Sequence, residues 1–311
     1  MNQITRSKRF GPIQKELFAF TADAPFVSIK GLEPLMGTSW FSMEKRRTKP
    51  IRHAYKNYWV EVEGSKKHGI ATYWDQDILL FAISQIIGGQ KRGEEVSRKV
   101  RFTGNDLFEF TGQKWVGAKS YEALLGALRR LHSTKIRTSL NPTDTLAHAE
   151  KGINWIDSYT TMRARDNRTG FEIILPDHVF EWASNKRNWL TLDRSYFDLM
   201  GGLERFLYLW GRKATGYTNG DRWEESFASI YEKSASTAAI TKFRYNLAQI
   251  IKRQSIIGYH LDEYKDPRRG RVLVLERDIN HPLLIKPAGK IRKRQLRART
   301  PNKLAQIELD I

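Results

Sequence analysis

Between Ser236 and Gln254 the apolar residues Ile240, Phe243, Leu247, Ile250 and Ile251 recur every three or four positions. That spacing predicts a helix with one buried face. Its other side carries Thr237, Thr241, Lys242, Arg244, Tyr245 and Lys252. The stretch "GAKSYEALLGALRRLHSTKIRTSL" has the same rhythm at Tyr121, Leu124, Leu125, Leu128 and Leu131, and switches to extended character towards Asn141-Pro142. Upstream, "NYWVEVEG" (57–64) alternates like a strand. "ATYWDQDILLFAISQIIGG" reads as a helix with Asp75 as N-cap, Asp77 in the first turn and Gly88-Gly89 as its stop. "TGNDLFEFTG" (103–112) predicts a short helix, and "INWIDSYTTMR" and "GFEIILP" flank a turn, "ARDNRTG".

The second half repeats this order. "RSYFDLMGGLERFLYLWGRKA" predicts a helix with a break at Gly201-Gly202, "WEESFASIYEKSA" a second, and Ser236–Gln254 the third. "SIIGYHLDEY" and "RVLVLERDI" then predict two strands joined by "KDPRRG". Three helices followed by a β-hairpin describe a winged helix, whose third helix enters the major groove while the hairpin meets the neighbouring backbone. The expected fold is α+β: two tandem winged-helix domains with an N-terminal arm and a basic C-terminal tail. The expected boundaries are 1–55 (arm, with four prolines and the basic cluster Glu44–Pro50), 56–185, 186–282 and 283–311.

Charge sharpens this picture. Lys and Arg number 53 against 34 Asp and Glu, a formal excess of +19 in 311 residues. Such an excess attracts polyanions and speaks of partners, not of fold. Candidate DNA contacts in the second domain are Thr237, Thr241, Lys242, Arg244 and Tyr245 on the third helix, with Arg268, Arg269 and Arg271 at the hairpin tip. In the first domain they are Lys114, Lys119 and Ser120 at the start of the third helix and Arg129 and Arg130 near its end. Arg pairs bidentately with guanine, whereas Lys more often meets phosphate. The tail "KPAGKIRKRQLRARTPNK" is rich in Lys and Arg, holds no acid, and is expected to add nonspecific affinity.

Enzyme chemistry finds little support. There is no cysteine, which removes disulfides, thiolate zinc sites and thiol catalysis and fits a reducing compartment. "GGQKRGEE" imitates a phosphate loop but follows its glycines with Glu94-Glu95, which repel phosphate. The seven histidines are dispersed, and none forms a His-x-His pair. The longest apolar run, Ile78–Ile83, is far short of the roughly 20 residues a membrane helix needs. No cofactor, metal or membrane partner is expected, and the location is expected to be cytoplasmic.

"YWDQDILLFAISQI", "FTGNDLFEFTG", "YEALLGALRRLHSTKIRTSL", "LDRSYFDLMGGLERFLYLWGRKA" and the Ser236–Gln254 helix together resemble the plasmid replication initiator protein A family, over roughly residues 50 to 280. The resemblance implies a bacterial, usually plasmid-borne protein of tandem winged helices. Such proteins bind repeated double-stranded sites at an origin, help open the adjacent duplex and recruit the host initiator and replicative helicase. Many relatives also repress their own promoters as homodimers. The residues themselves leave open a transcriptional repressor of the same architecture and, less readily, a nucleic-acid nicking enzyme.

Overall fold

The computed structural model describes residues 28–54, 58–139, 151–163, 169–217 and 222–278. The first half runs β1 (Lys30–Leu32), β2 (Ile51–Ala54), β3 (Trp59–Glu63), α1 (Gln76–Arg92), β4 (Lys99–Thr103), α2 (Gly104–Thr111) and α3 (Ala118–Ser133). It continues through β5 (Lys135–Thr138), β6 (Lys151–Asn154), β7 (Ser158–Arg163), β8 (Thr169–Ile174) and α4 (Asp177–Ser184). The second half runs β9 (Trp189–Thr191), α5 (Gly202–Tyr217), β10 (Arg222–Ser226), α6 (Phe227–Ser234), α7 (Ile240–Arg253), β11 (Tyr259–Asp266) and β12 (Gly270–Arg277).

One arrangement occurs twice. A helix, a short strand, two helices and a two-stranded ribbon follow each other as α1-β4-α2-α3-β7-β8 and as α5-β10-α6-α7-β11-β12. In both, the short strand pairs antiparallel with the last strand, giving the orders β4-β8-β7 and β10-β12-β11. A lone hairpin is marginal in water, and the third strand ties it to the helices that cover its inner face. The first copy carries an insertion: β5 and β6 leave it to join β2 and β3 in a separate four-stranded sheet.

The short strands were not legible in the hydrophobic pattern. "WEES" reads as the start of a helix, yet residues 222–226 pair along β12 from Arg222↔Glu276 to Ser226↔Val272. The reason is tertiary: Trp223 packs on Trp210 of α5 with ring centroids 4.3 Å apart, and Lys233 bonds Glu225 at 2.6 Å. Helix α1 does not stop at Gly88-Gly89 but continues to Arg92, where Gly93 adopts the left-handed conformation that suits a glycine C-cap. Asp75 stands at the helix start without capping it through its side chain. The short helix α2 forms as expected and is capped by reciprocal bonds between Thr103 and Asp106. The chain breaks where expected: a 3₁₀ turn over Arg194–Asp198 ends before residues 199–201, and α5 begins at Gly202.

Residues 28–54 are not an arm. Lys30–Leu32 pair with Trp189–Thr191, and Trp40 and Phe41 are fully buried. Phe41 stacks on Trp155 at 4.5 Å, and Trp40 meets the same indole edge-on at 6.1 Å. Prolines at 34 and 50 exclude long helices there but leave the apolar residues between them available to the core. The two halves share that core. Tyr73 meets Phe206 of α5, and the buried Arg205 guanidinium donates to Asp77 at 2.7 Å and to the Tyr73 carbonyl at 3.1 Å. The expected arm over 1–27, the turn at 164–168 and the tail at 283–311 lie outside the described residues.

Candidate nucleic-acid interface

Helix α7 is fixed from within by Phe243, Leu247, Ile250 and Ile251, all buried, with Phe243 edge-on to Tyr231 at 5.0 Å. At about 100° per residue, Tyr245 stands opposite this stripe, with Thr241, Lys242, Gln249 and Lys252 beside it. Tyr245 is 57% exposed, and the Lys242 ammonium lies 4.9 Å from its ring centre. Arg244 is exposed on the flank next to Ile251, not on the crest. No described carboxylate bonds Lys242, Arg244 or Lys252. At its C-terminus Gln254 takes the left-handed conformation and bonds the Ile251 carbonyl (2.8 Å), the Leu261 carbonyl (2.6 Å) and the Leu261 amide (2.8 Å). One side chain therefore holds the helix to the hairpin.

The helix begins at Ile240, not at Ser236. The Ser236 hydroxyl accepts from the Ala238 amide and does not cap the helix, whose N-cap residue, Ala239, has no capping side chain. Thr237 therefore lies in the preceding loop, where its amide (3.1 Å) and hydroxyl (3.0 Å) both donate to the Glu44 carboxylate. Arg47, nearly buried, donates to the Ala235 carbonyl in the same loop and to the carbonyls of Lys49 and Pro50. These bonds tie the 44–49 segment to the loop before α7; Lys45, Arg46 and Lys49 of this segment are exposed, and the Lys45 ammonium lies 5.3 Å from the Trp74 ring centre. This cluster was visible in the sequence, but its placement was not.

The β11–β12 tip is less cationic than its sequence suggests. Arg271 pairs with both oxygens of Glu263 at 2.6 Å and lies over the Phe227 ring. Arg269 donates to the Tyr264 hydroxyl at 2.6 Å and to Glu224 at 3.3 Å. Hydrogen bonds from Tyr264 and Arg222 hold the Glu224 carboxyl below the usual carboxylate range, so it stays ionised. Arg268 is exposed, and no described side chain pairs with its guanidinium. Lys265, which sequence reasoning passed over, is exposed beside it.

On the first half, Lys114, Lys119 and Arg129 are exposed without described partners. Ser120 is engaged locally, receiving a bond from Gln113 at 2.9 Å. Arg130 is a correction. Its Nε and Nη2 donate to the two oxygens of Asp75 at 2.7 and 2.8 Å, and Asp75 is buried. Spanning 55 residues of the chain, this pair locks α3 to the start of α1 and engages the Nε and Nη2 that a bidentate contact to DNA would use. The crest of α3 is accordingly mixed: Lys119, Glu122, Gly126 and Arg129.

The family model described as "Replication initiator protein A" matches residues 31–261. The chain belongs to this family. A proposed replication protein of Wigglesworthia glossinidia brevipalpis is 28% identical over 234 residues, covering 73% of this initiator and 82% of that protein. Among solved structures, domains 2 and 3 of RctB, as selenomethionine derivatives, superpose with a TM-score of 0.55 at 13% identity, covering 84% of this initiator and 99% of that chain. A second structure of RctB domains 2–3 gives 0.50 at 12% identity, covering 79% and 96%. Membership assigns the protein a role in replication initiation, and the RctB likeness establishes a shared mixed α/β fold. Among the described residues no helix is long and apolar enough to cross a membrane.

Proposed function

We propose that the protein is a cytoplasmic plasmid replication initiator that binds repeated double-stranded sites at an origin through two winged-helix modules. In this reading α7 enters a major groove, α3 enters a second one, and the hairpins hold the flanking backbone. The observation that carries it is the crest of α7: a rigid helix, buried on one side, shows Lys242, Tyr245 and Lys252 outward with no internal carboxylate to neutralise them. The strand order β10-β12-β11 beside the helix supports the winged-helix reading. The acidic Glu122 on the α3 crest makes α7 the principal reading helix and α3 the weaker one.

Opening of the duplex follows from binding and deformation, with no covalent step, and the opened origin then receives the host initiator and helicase. Asp75 and Asp77, the two carboxylates at the start of α1, are bonded to Arg130 and Arg205, which supports a structural role for them. Purified protein with divalent metal should leave supercoiled origin DNA unrelaxed.

The test is a footprint on the DNA flanking its own gene. Repeated protected sites are expected, and Lys242→Ala should reduce discrimination between those sites and random DNA by roughly 1–3 kcal/mol if it reads a base. Protection without repeats, or selectivity untouched by Lys242→Ala, sinks the placement of α7. Maintenance of a plasmid carrying the gene and its repeats only when the gene is intact distinguishes an initiator from a repressor of the same architecture.

A further inference from the structure

The indole of Trp115 is 88% exposed, and Val116 beside it is 44% exposed. They form the tip of the loop that joins α2 to α3. Fully burying a side chain of this size removes 150–250 Å² from water, so an outward indole forgoes a large stabilisation. Its backbone, by contrast, is well held. Gly112 turns the chain in the left-handed conformation, and the Gln113 amide bonds the Phe108 carbonyl at 2.8 Å. The Gln113 side chain then bridges the Trp115 carbonyl (3.1 Å) and the Ser120 hydroxyl (2.9 Å). The loop thus presents the ring on a rigid mount.

The surroundings select the partner. From Phe110 to Tyr121 there is no Asp or Glu; Lys114 adjoins Trp115 in sequence and Lys119 stands in the first turn of α3, both exposed and without described partners. An aromatic face between cations suits a nucleotide, whose base stacks while its phosphates meet ammonium groups. The equivalent loop of the second half, Ala235–Ala239, has no aromatic residue and is closed by Glu44 on Thr237. The two loops are therefore built for different tasks.

We propose that Trp115 stacks on a nucleobase that has left the duplex stack, with Lys114 and Lys119 on its phosphates, so that the first half holds distorted DNA while α7 reads intact duplex. This rests on the DNA-binding role proposed above and adds a division of labour to it. Apolar side chains that enter base steps in this way favour kinked or unstacked DNA.

The test uses the full chain and two labelled duplexes of one random sequence, one fully paired and one with a central bubble of unpaired thymines. The native protein should prefer the bubble. Trp115→Ala should lose roughly tenfold in affinity for the bubble and little for the paired duplex, and Trp115→Tyr should keep most of the preference. The melting temperature should be unchanged, because Trp115 is 88% exposed. The emission difference between native protein and Trp115→Phe isolates this indole, and it should be quenched by the bubble and not by the paired duplex. Retention of the bubble preference by Trp115→Ala overturns the inference alone. A native protein that binds neither duplex overturns the DNA-binding reading as well. A change in self-association on Trp115→Ala, with DNA binding intact, reassigns the ring to a protein contact and overturns the inference.

Discussion

Arg129 and Arg130 are adjacent and identical in type, yet Arg129 is exposed while Arg130 is bonded to Asp75, and replacing each in turn tests whether they do different work. Asp75 has a side chain only 3% exposed, with two arginine bonds and one from the Thr72 amide at 2.8 Å. Removing one partner of a buried ion pair costs about 3–5 kcal/mol, because the other charge is left behind. The Arg130 side chain is 25% exposed and Asp75 keeps its Thr72 bond, so about 2–3 kcal/mol is expected for Arg130→Ala. At about 2–4 °C per kcal/mol for a domain of 150–250 residues, the melting temperature should fall by about 5–10 °C. The double variant Asp75→Asn/Arg130→Met should recover part of that loss, since no charge is then stranded. Arg129→Ala should melt within about 0.5 kcal/mol of the native protein and bind DNA more weakly. Its salt dependence should flatten by about one counterion if Arg129 meets a phosphate. Thermal denaturation and fluorescence anisotropy at several salt concentrations provide both readings. If Arg130→Ala melts like the native protein and loses DNA affinity, the Asp75 lock is not what holds Arg130.

Three further predictions concern the second half and its junction. Gln254→Ala should destabilise by roughly 2–3 kcal/mol, about one per lost hydrogen bond, and speed hydrogen exchange at the Leu261 amide, while Gln254→Gly should cost less because glycine relieves the left-handed backbone. Burial pushes the Asp77 carboxyl up to about 6, against the opposing pull of Arg205, so it binds its proton more tightly folded than unfolded. That contribution is complete below about pH 4 and is lost as pH rises to about 6, so the stability of the native protein relative to Asp77→Asn should decline across that window in urea titrations. Arg268→Ala should weaken specific and random DNA alike and lower the salt slope by about one, whereas Arg269→Ala, which removes a guanidinium already paired with Glu224 and Tyr264, should lower it less.

Periodicity made α3 and α7 legible because each has a single apolar stripe whose meaning does not depend on the rest of the chain. It failed where the partner was remote. β10 is a strand only because it pairs with the remote β12, Arg222 standing 54 residues from Glu276, and "WEES" carries no alternation strong enough to say so. Residues 28–54 looked like an arm because prolines and basic residues dominate the local pattern, while Trp40 and Phe41 find their partner in Trp155. The same limit governs the candidate site. A formal charge of +19 shows that the chain suits a polyanion, but Arg130, Arg269 and Arg271 are held by carboxylates of the protein itself, and Arg268, Lys242 and Lys252 are not. Residue type cannot distinguish these sets, because a guanidinium reads the same in sequence whether its carboxylate is eight residues away, as for Arg271 and Glu263, or 55, as for Arg130 and Asp75. The charge available to DNA is what remains after such pairing, and tertiary structure decides it. An exposed tryptophan escapes charge-based reading for a related reason: Trp115 looks like core in composition, and only a fold that leaves it outside turns it into a candidate contact.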